Sequence, residues 1–181
     1  MKKVEPIREK SKIEEMKLVL KKQNYRDYIM FIVGINTGLR ISDILKLKVK
    51  DVKNKTHIDI KEGKTDKDKN ILINNTLQSA LDNYITDMED QEYLFQSRKG
   101  ENNPISRTQA YRVLRKAADK VGIEKVGTHT LRKTFGYHHY QENKDVALLQ
   151  ELFNHSSPSI TLDYIGINQD VMDKSMKNFS L

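Results

Sequence analysis

The chain has 181 residues, enough for one domain with a sizeable core and too few for two comfortable ones. It carries 32 Lys and Arg against 25 Asp and Glu, and its formal net charge of +7 is spread along the chain, which favours an anionic partner such as nucleic acid. The absence of cysteine excludes disulfides and thiolate metal sites. The start, Met1-Lys2-Lys3-Val4-Glu5-Pro6, lacks the apolar stretch of a signal peptide, and the longest apolar run, around Tyr28 to Ile35, is too short to span a membrane. The cytoplasm is the expected location.

Ser11 and Glu14 have capping-box spacing, and Ile13, Met16 and Leu20 mark one face of a first helix. A second helix is expected over Tyr25 to Thr37, with Ile29, Ile32 and Val33 inward and Gly38 as its stop. Ile41, Ile44 and Leu45 again have helical spacing. Arg40 therefore stands at a helix N-terminus, where free backbone N–H groups favour phosphate.

His57 to Lys61 and Asn70 to Ile73 alternate like half-buried strands, and the polar run from Gly63 to Asp68 reads as the turn of a hairpin. Lys64 rides on that turn. Gly63-Lys64-Thr65 resembles the end of a phosphate-binding loop, but the first glycine of that motif would fall on Ile58, so the reading fails.

Asn75 is expected to cap a helix running to about Met88, followed by a polar connection from Gln91 to Pro104. Ser106 and Gln109 form a second capping box, and Ala110, Val113, Leu114, Ala117 and Val121 an apolar stripe. Arg112, Arg115, Lys116 and Lys120 lie largely off that stripe, on a face suited to a nucleic-acid backbone or simply to solvent. Helices are expected over Thr130 to about Tyr140 and Asp145 to Phe153. The neighbours His138 and His139 point apart on the first of these, which argues against a metal site. Ser157-Pro158 starts another helix, with Ser at the N-cap and Pro at the first helical position; Tyr164 is near its end and Gly166 can stop it. Val171, Met172, Ser175, Met176 and Phe179 give a last helical stripe.

His129 and Arg132 lie three apart, so a helix turns both to one side. A proton carrier beside a fixed cation suits a phosphate that gains charge during reaction. His155 follows on a polar turn, then Tyr164. Singly, each of these residues is more often structural.

In this order Arg40, Lys64, His129-x-x-Arg132, His155 and Tyr164 closely resemble the hallmark of the tyrosine recombinase (phage integrase) family, from Tyr25 to the end of the chain. The segment Thr37-Gly38-Leu39-Arg40-Ile41-Ser42-Asp43 matches the family's first-arginine box. The resemblance implies an α+β, mostly helical catalytic domain with a small antiparallel sheet near residues 50 to 75. It implies cleavage and rejoining of double-stranded DNA through a 3′-phosphotyrosyl intermediate at Tyr164, without metal, ATP or other cofactor.

By the same resemblance Arg40 and Arg132 hold the phosphate, His129 is the base or a donor, His155 a second donor, and Lys64 the acid for the leaving 5′ oxygen. Asp43 supports Arg40 or His129, and Arg112, Arg115, Lys116 and Lys133 are expected DNA contacts. Self-association as a tetramer on DNA is implied too, with the C-terminal segment docked on a neighbour or packed on its own domain. Two rivals keep the fold: a type IB topoisomerase, and a DNA-binding accessory protein that does not cleave.

Two features depart from the family. Phe153-Asn154 stands before His155 where Leu-Gly is usual, an Asn that tolerates positive φ. About twenty residues precede the second helix, so a catalytic domain without the family's N-terminal helical domain is expected, as a whole protein or as part of a longer one.

Overall fold

In the computed structural model, residues 4–63, 67–177 and 179 are described. Helix α2 (Tyr25–Thr37) runs through the middle. Its residues Ile29, Met30, Phe31, Ile32 and Val33 are all 0–1% exposed, so it is enclosed all round rather than on the one face that the apolar spacing suggests. It packs on α1 (Lys10–Gln23), α4 (Asn75–Ile85) and α6 (Thr130–Asn143). Gly38, in the left-handed region at φ 64°, closes α2 and turns the chain into the short α3 (Ile41–Ile44), so Arg40 becomes the N-cap of α3.

Strands β1 (His57–Lys61) and β2 (Asp68–Leu72) form a two-stranded antiparallel sheet, with His57 opposite Leu72 and Lys61 opposite Asp68. Lys64 lies outside the described residues. The second strand begins two residues earlier than the alternation indicates. Two helix starts also differ. Helix α1 begins at Lys10 after an N-cap Glu9 that makes no side-chain cap. Ser11 therefore lies inside the first turn, and Glu14 pairs with Lys17 at 2.6 Å instead of closing a capping box. Helix α4 is capped by Asn74, not Asn75, through a 2.9 Å bond from Leu77 N–H, and it ends at Ile85. The connection from Gln91 to Pro104 is polar in composition but inserts Leu94 and Phe95 fully into the core. Ser106 caps α5 (Arg107–Lys120) as expected.

A strap of N-terminal residues lies across α6. Ile7 N–H donates to Thr134 Oγ1 at 2.9 Å, and His138 Nε2 lies 2.9 Å from Ile7 O. The last part of the chain folds onto the other side of α6 as α7 (Val146–Phe153), α8 (Pro158–Ile165) and α9 (Ile167–Lys177). Leu149, Phe153, Ile165 and Ile167 form a small second core there, distinct from the main one. Helix α9 buries Ile167 alone. Val171, Met172, Met176 and Phe179 are 53–67% exposed, so the expected stripe is not packed on this chain. No helix among the described residues is long and apolar enough to cross a membrane.

Gly136 decides how close α8 comes to α6. A Cβ there would stand 2.7 Å from both Ile165 Cγ2 and Phe153 Cε2. Gly136→Ala is therefore expected to destabilise the fold by about 1–3 kcal/mol through overpacking. In a chain of this size that lowers the melting temperature by roughly 2–4 °C per kcal/mol. An unchanged melting temperature in a calorimetric scan would contradict this packing.

Candidate active site

Arg132 projects from the first turn of α6 and is 4% exposed. Two of its five donors are committed to main-chain carbonyls: Nη1 to Gly38 O at 2.6 Å and Nη2 to Phe153 O at 3.0 Å. Its guanidinium lies 4.2 Å from the centre of the Phe153 ring. Burial pulls its pKa down and Arg40 adds to that, while Tyr164, Glu62 and Asp43 pull it back up. Arg40 reaches the same place from the α2–α3 turn, and its Nη1 is 2.8 Å from Glu62 Oε1. Arg132 Nη1 is 3.7 Å from that same oxygen. One carboxylate thus brings both arginines together.

Tyr164, on α8, faces them. Its hydroxyl is 3.2 Å from His129 Nδ1, and its ring stands edge-on to His155 at 5.0 Å and Phe153 at 5.7 Å. His129 is the N-cap residue of α6, one step before the helix, rather than part of it. Burial raises the Tyr164 pKa, against the pull of Arg132 and Arg40. The phenol is therefore the resting form at neutral pH. His155 is pushed down from 6.5 to about 4, first by burial and then by Arg132, Arg40 and Lys69, so it rests uncharged. Its Nδ1 lies 3.0 Å from Thr161 Oγ1, which is also 3.2 Å from Ser157 O. Thr161 Oγ1 donates to Ser157 O, so the neutral ring carries its proton on Nδ1, donates it to Thr161 and turns Nε2 out as an acceptor.

Arg40, His129 and Arg132 line an open cleft of about 750 Å³ together with Ser42, Lys46, Arg107, Thr108, Tyr111 and Thr128. Asp43 is 1% exposed, and its Oδ1 accepts from Gly63 N–H at 3.3 Å. It thus anchors the base of the hairpin turn, and its charge also acts on Arg132. Arg112 and Lys116 are exposed on α5 as expected. Arg115 is instead tied down, 2.8 Å from Asp119 and bonded to Glu124 O. Lys133 departs most from expectation. It is 8% exposed, with its ammonium 4.8 Å from the Tyr164 ring centre, because the first turn of α6 is covered on that side by α8. Its place is behind the tyrosine, not on an open face.

The sequence matches the phage integrase family over residues 7–170. The chain belongs to that family. It is 55% identical over 176 residues to "Probable integrase/recombinase YoeC" of Bacillus subtilis (strain 168), covering 97% of each chain. It is 31% identical over 166 residues to "Tyrosine recombinase XerA" of Pyrococcus furiosus, covering 90% of this chain and 58% of that one. Among solved structures, a crystal structure of XerA recombinase superposes with a TM-score of 0.76 at 22% identity, covering 98% of this chain and 67% of that one. XerH recombinase bound to its difH substrate gives 0.72 at 22% identity, covering 99% and 56%. The integrase fold is thereby established.

Within this integrase, sequence reasoning missed Glu62 and offered Lys69 only as an alternative to Lys64 on the same loop. Glu62 directly follows the first strand and is 0% exposed; Lys69 reaches it at 3.3 Å and bonds to Leu152 O. Burial and the two arginines lower the Lys69 pKa, while Glu62 raises it. Nothing in the alternation of a polar strand end signals such burial.

The His155 shift has a consequence for stability. The folded state binds this proton less tightly than the unfolded chain, so stability is lost as pH falls from 6.5 toward about 4. The unfolding midpoint of the wild type should drop across that window more than that of His155→Asn. Parallel pH profiles for the two proteins would refute this.

Proposed function

We propose that this chain is a site-specific DNA recombinase that cleaves and rejoins double-stranded DNA through a 3′-phosphotyrosyl intermediate at Tyr164. The observation that carries the proposal is the Tyr164 hydroxyl, 3.2 Å from His129 Nδ1 and opposite two arginines that share one buried carboxylate. A pure binding protein needs a basic face; it does not need a phenol docked on a base. Its relatives' printed names, integrase and tyrosine recombinase, support the reading. The titles of structural neighbours describe recombinases bound to DNA, which supports DNA as partner. The cytoplasm, where such DNA is reached, is the proposed location.

The geometry of Arg40, His129, Arg132 and Tyr164 supports the following steps. Arg40 and Arg132 take the non-bridging oxygens of the scissile phosphate, where a forked donor outperforms a point charge. Tyr164 Oη forms a bond to phosphorus and its proton passes to His129. The bond from phosphorus to the 5′ oxygen breaks, and that oxygen takes a proton from Lys64, a role that rests on the resemblance alone. The phosphotyrosine retains the bond energy, and the reverse step rejoins a strand. Arg112 and Lys116 on α5, with Lys46 and Arg107 at the cleft, are the proposed backbone contacts. The exposed stripe on α9 is the proposed self-association surface, consistent with assembly on DNA.

The test uses a pool of nicked duplexes of randomised sequence, from which covalent protein–DNA adducts are trapped and sequenced. Tyr164→Phe should abolish adducts while leaving DNA binding nearly unchanged. An adduct that persists, or that maps to Tyr137 or Tyr140, would overturn the assignment. With a trapped duplex in hand, Arg132→Lys should slow cleavage by about 10²–10³-fold, the usual loss for one preorganised donor. Cleavage at wild-type rate would take Arg132 off the scissile phosphate.

A further inference from the structure

Glu62 takes no part in the steps above, yet it is the most enclosed charged side chain among the described residues. Its Oε1 stands 2.8 Å from Arg40 Nη1, 3.3 Å from Lys69 Nζ and 3.7 Å from Arg132 Nη1. Its Oε2 accepts from Asn154 Nδ2 at 3.0 Å. These four partners come from four places: the α2–α3 turn, β2, α6, and the turn between α7 and α8. Burying a charge costs several kcal/mol unless every partner is in position, so such a carboxylate fixes the distances among the groups around it.

Asn154 ties the arrangement to the turn before His155. It closes α7 in the left-handed region at φ 52°, where a glycine would be at ease. Asn in place of glycine adds an amide, and that amide reaches Glu62. Besides its own backbone bonds, side-chain bonds from Lys69 to Leu152 O, from Arg132 to Phe153 O and from Asn154 to Glu62 hold the segment leading to His155.

We infer that Glu62 is a positioning residue, which keeps Arg40 and Arg132 assembled as a phosphate clamp before DNA arrives and, through Asn154, fastens the β1–β2 hairpin to the turn that presents His155. The inference rests on the recombinase reading for its effect on rate. It also has a consequence that needs no DNA. Without its carboxylate the cluster holds surplus positive charge and an added oxyanion becomes its substitute.

The experiment uses the full chain and four variants: Glu62→Gln, Glu62→Asp, Asn154→Gly and the Gln/Gly double variant. Single-turnover cleavage of a nicked duplex trapped by the wild type is measured at saturating protein, beside DNA affinity. A misplacement on the order of 1 Å costs about 10²-fold in rate. Glu62→Gln should therefore slow cleavage by roughly 10–10²-fold with affinity undiminished. Glu62→Asp should recover part of the rate. Asn154→Gly, which keeps the backbone, should slow cleavage less, and the double variant should be no slower than Glu62→Gln alone. A merely structural role would lower the amount of active protein and leave the rate of the folded fraction at the wild-type value; that result overturns the inference, as do independent, additive effects. If Glu62→Gln does not fold, Asn154→Gly decides by the same rate criterion. If the wild type traps no DNA, the recombinase reading fails and melting decides on Glu62. Inorganic phosphate should then restore the melting temperature lost in Glu62→Gln beyond what chloride of equal ionic strength does, and equal effects of the two anions overturn the inference.

Discussion

Two guanidinium groups must be kept charged, close together and largely out of water, and much of the structure answers to that requirement. Left alone they would repel each other and lose hydration. Main-chain carbonyls at the ends of α2 and α7 take two of the Arg132 donors, and Glu62 lies between Arg132 and Arg40. Among the described residues Lys69 adds a third cation around Glu62, and Asp43 is a second buried carboxylate acting on Arg132. A cluster of cations held in this way favours an entering phosphate.

The nucleophile is supported differently. The arginines are rooted in or beside the main core, whereas Tyr164 belongs to the small second cluster, where α8 buries only Thr161 and Ile165. A short helix on a small core opens more readily than one in the main core. The α9 stripe that follows it is exposed. Rigidity where charge is stabilised and looser support where the covalent bond forms suit a reaction in which a strand is held, released and exchanged.

The sequence carried most of this fold because helix periodicity and cap chemistry are local. Ser106, Ser157, Gly38 and Gly166 stand where their residue types suggest. Candidate residues with a distinctive local setting, Arg40, His129, Arg132, His155 and Tyr164, meet in one place. What was not legible was burial of charge. Glu62, Lys69 and Lys133 look like solvated residues on polar segments, and only the approach of α8 to α6 and of the hairpin to α7 encloses them. Ser11 and Glu14 show the opposite failure: a correct local motif, displaced because the helix begins one residue before it and Glu14 finds Lys17.

The remaining question is when the phenol gives up its proton. In the free protein, burial holds Tyr164 protonated, while Arg132 and Arg40 pull the other way. A phosphate entering the cleft neutralises part of that pull, so substrate binding makes the phenol a weaker acid, not a stronger one. Ionisation ahead of attack is therefore disfavoured. The proton must leave as the oxygen–phosphorus bond forms, when negative charge moves from the phenol toward oxygens held by the two arginines. That timing needs an acceptor already in contact, and His129 Nδ1 at 3.2 Å supplies one. It also protects the protein, because a tyrosine that ionises only in the presence of a held phosphate does not attack at random.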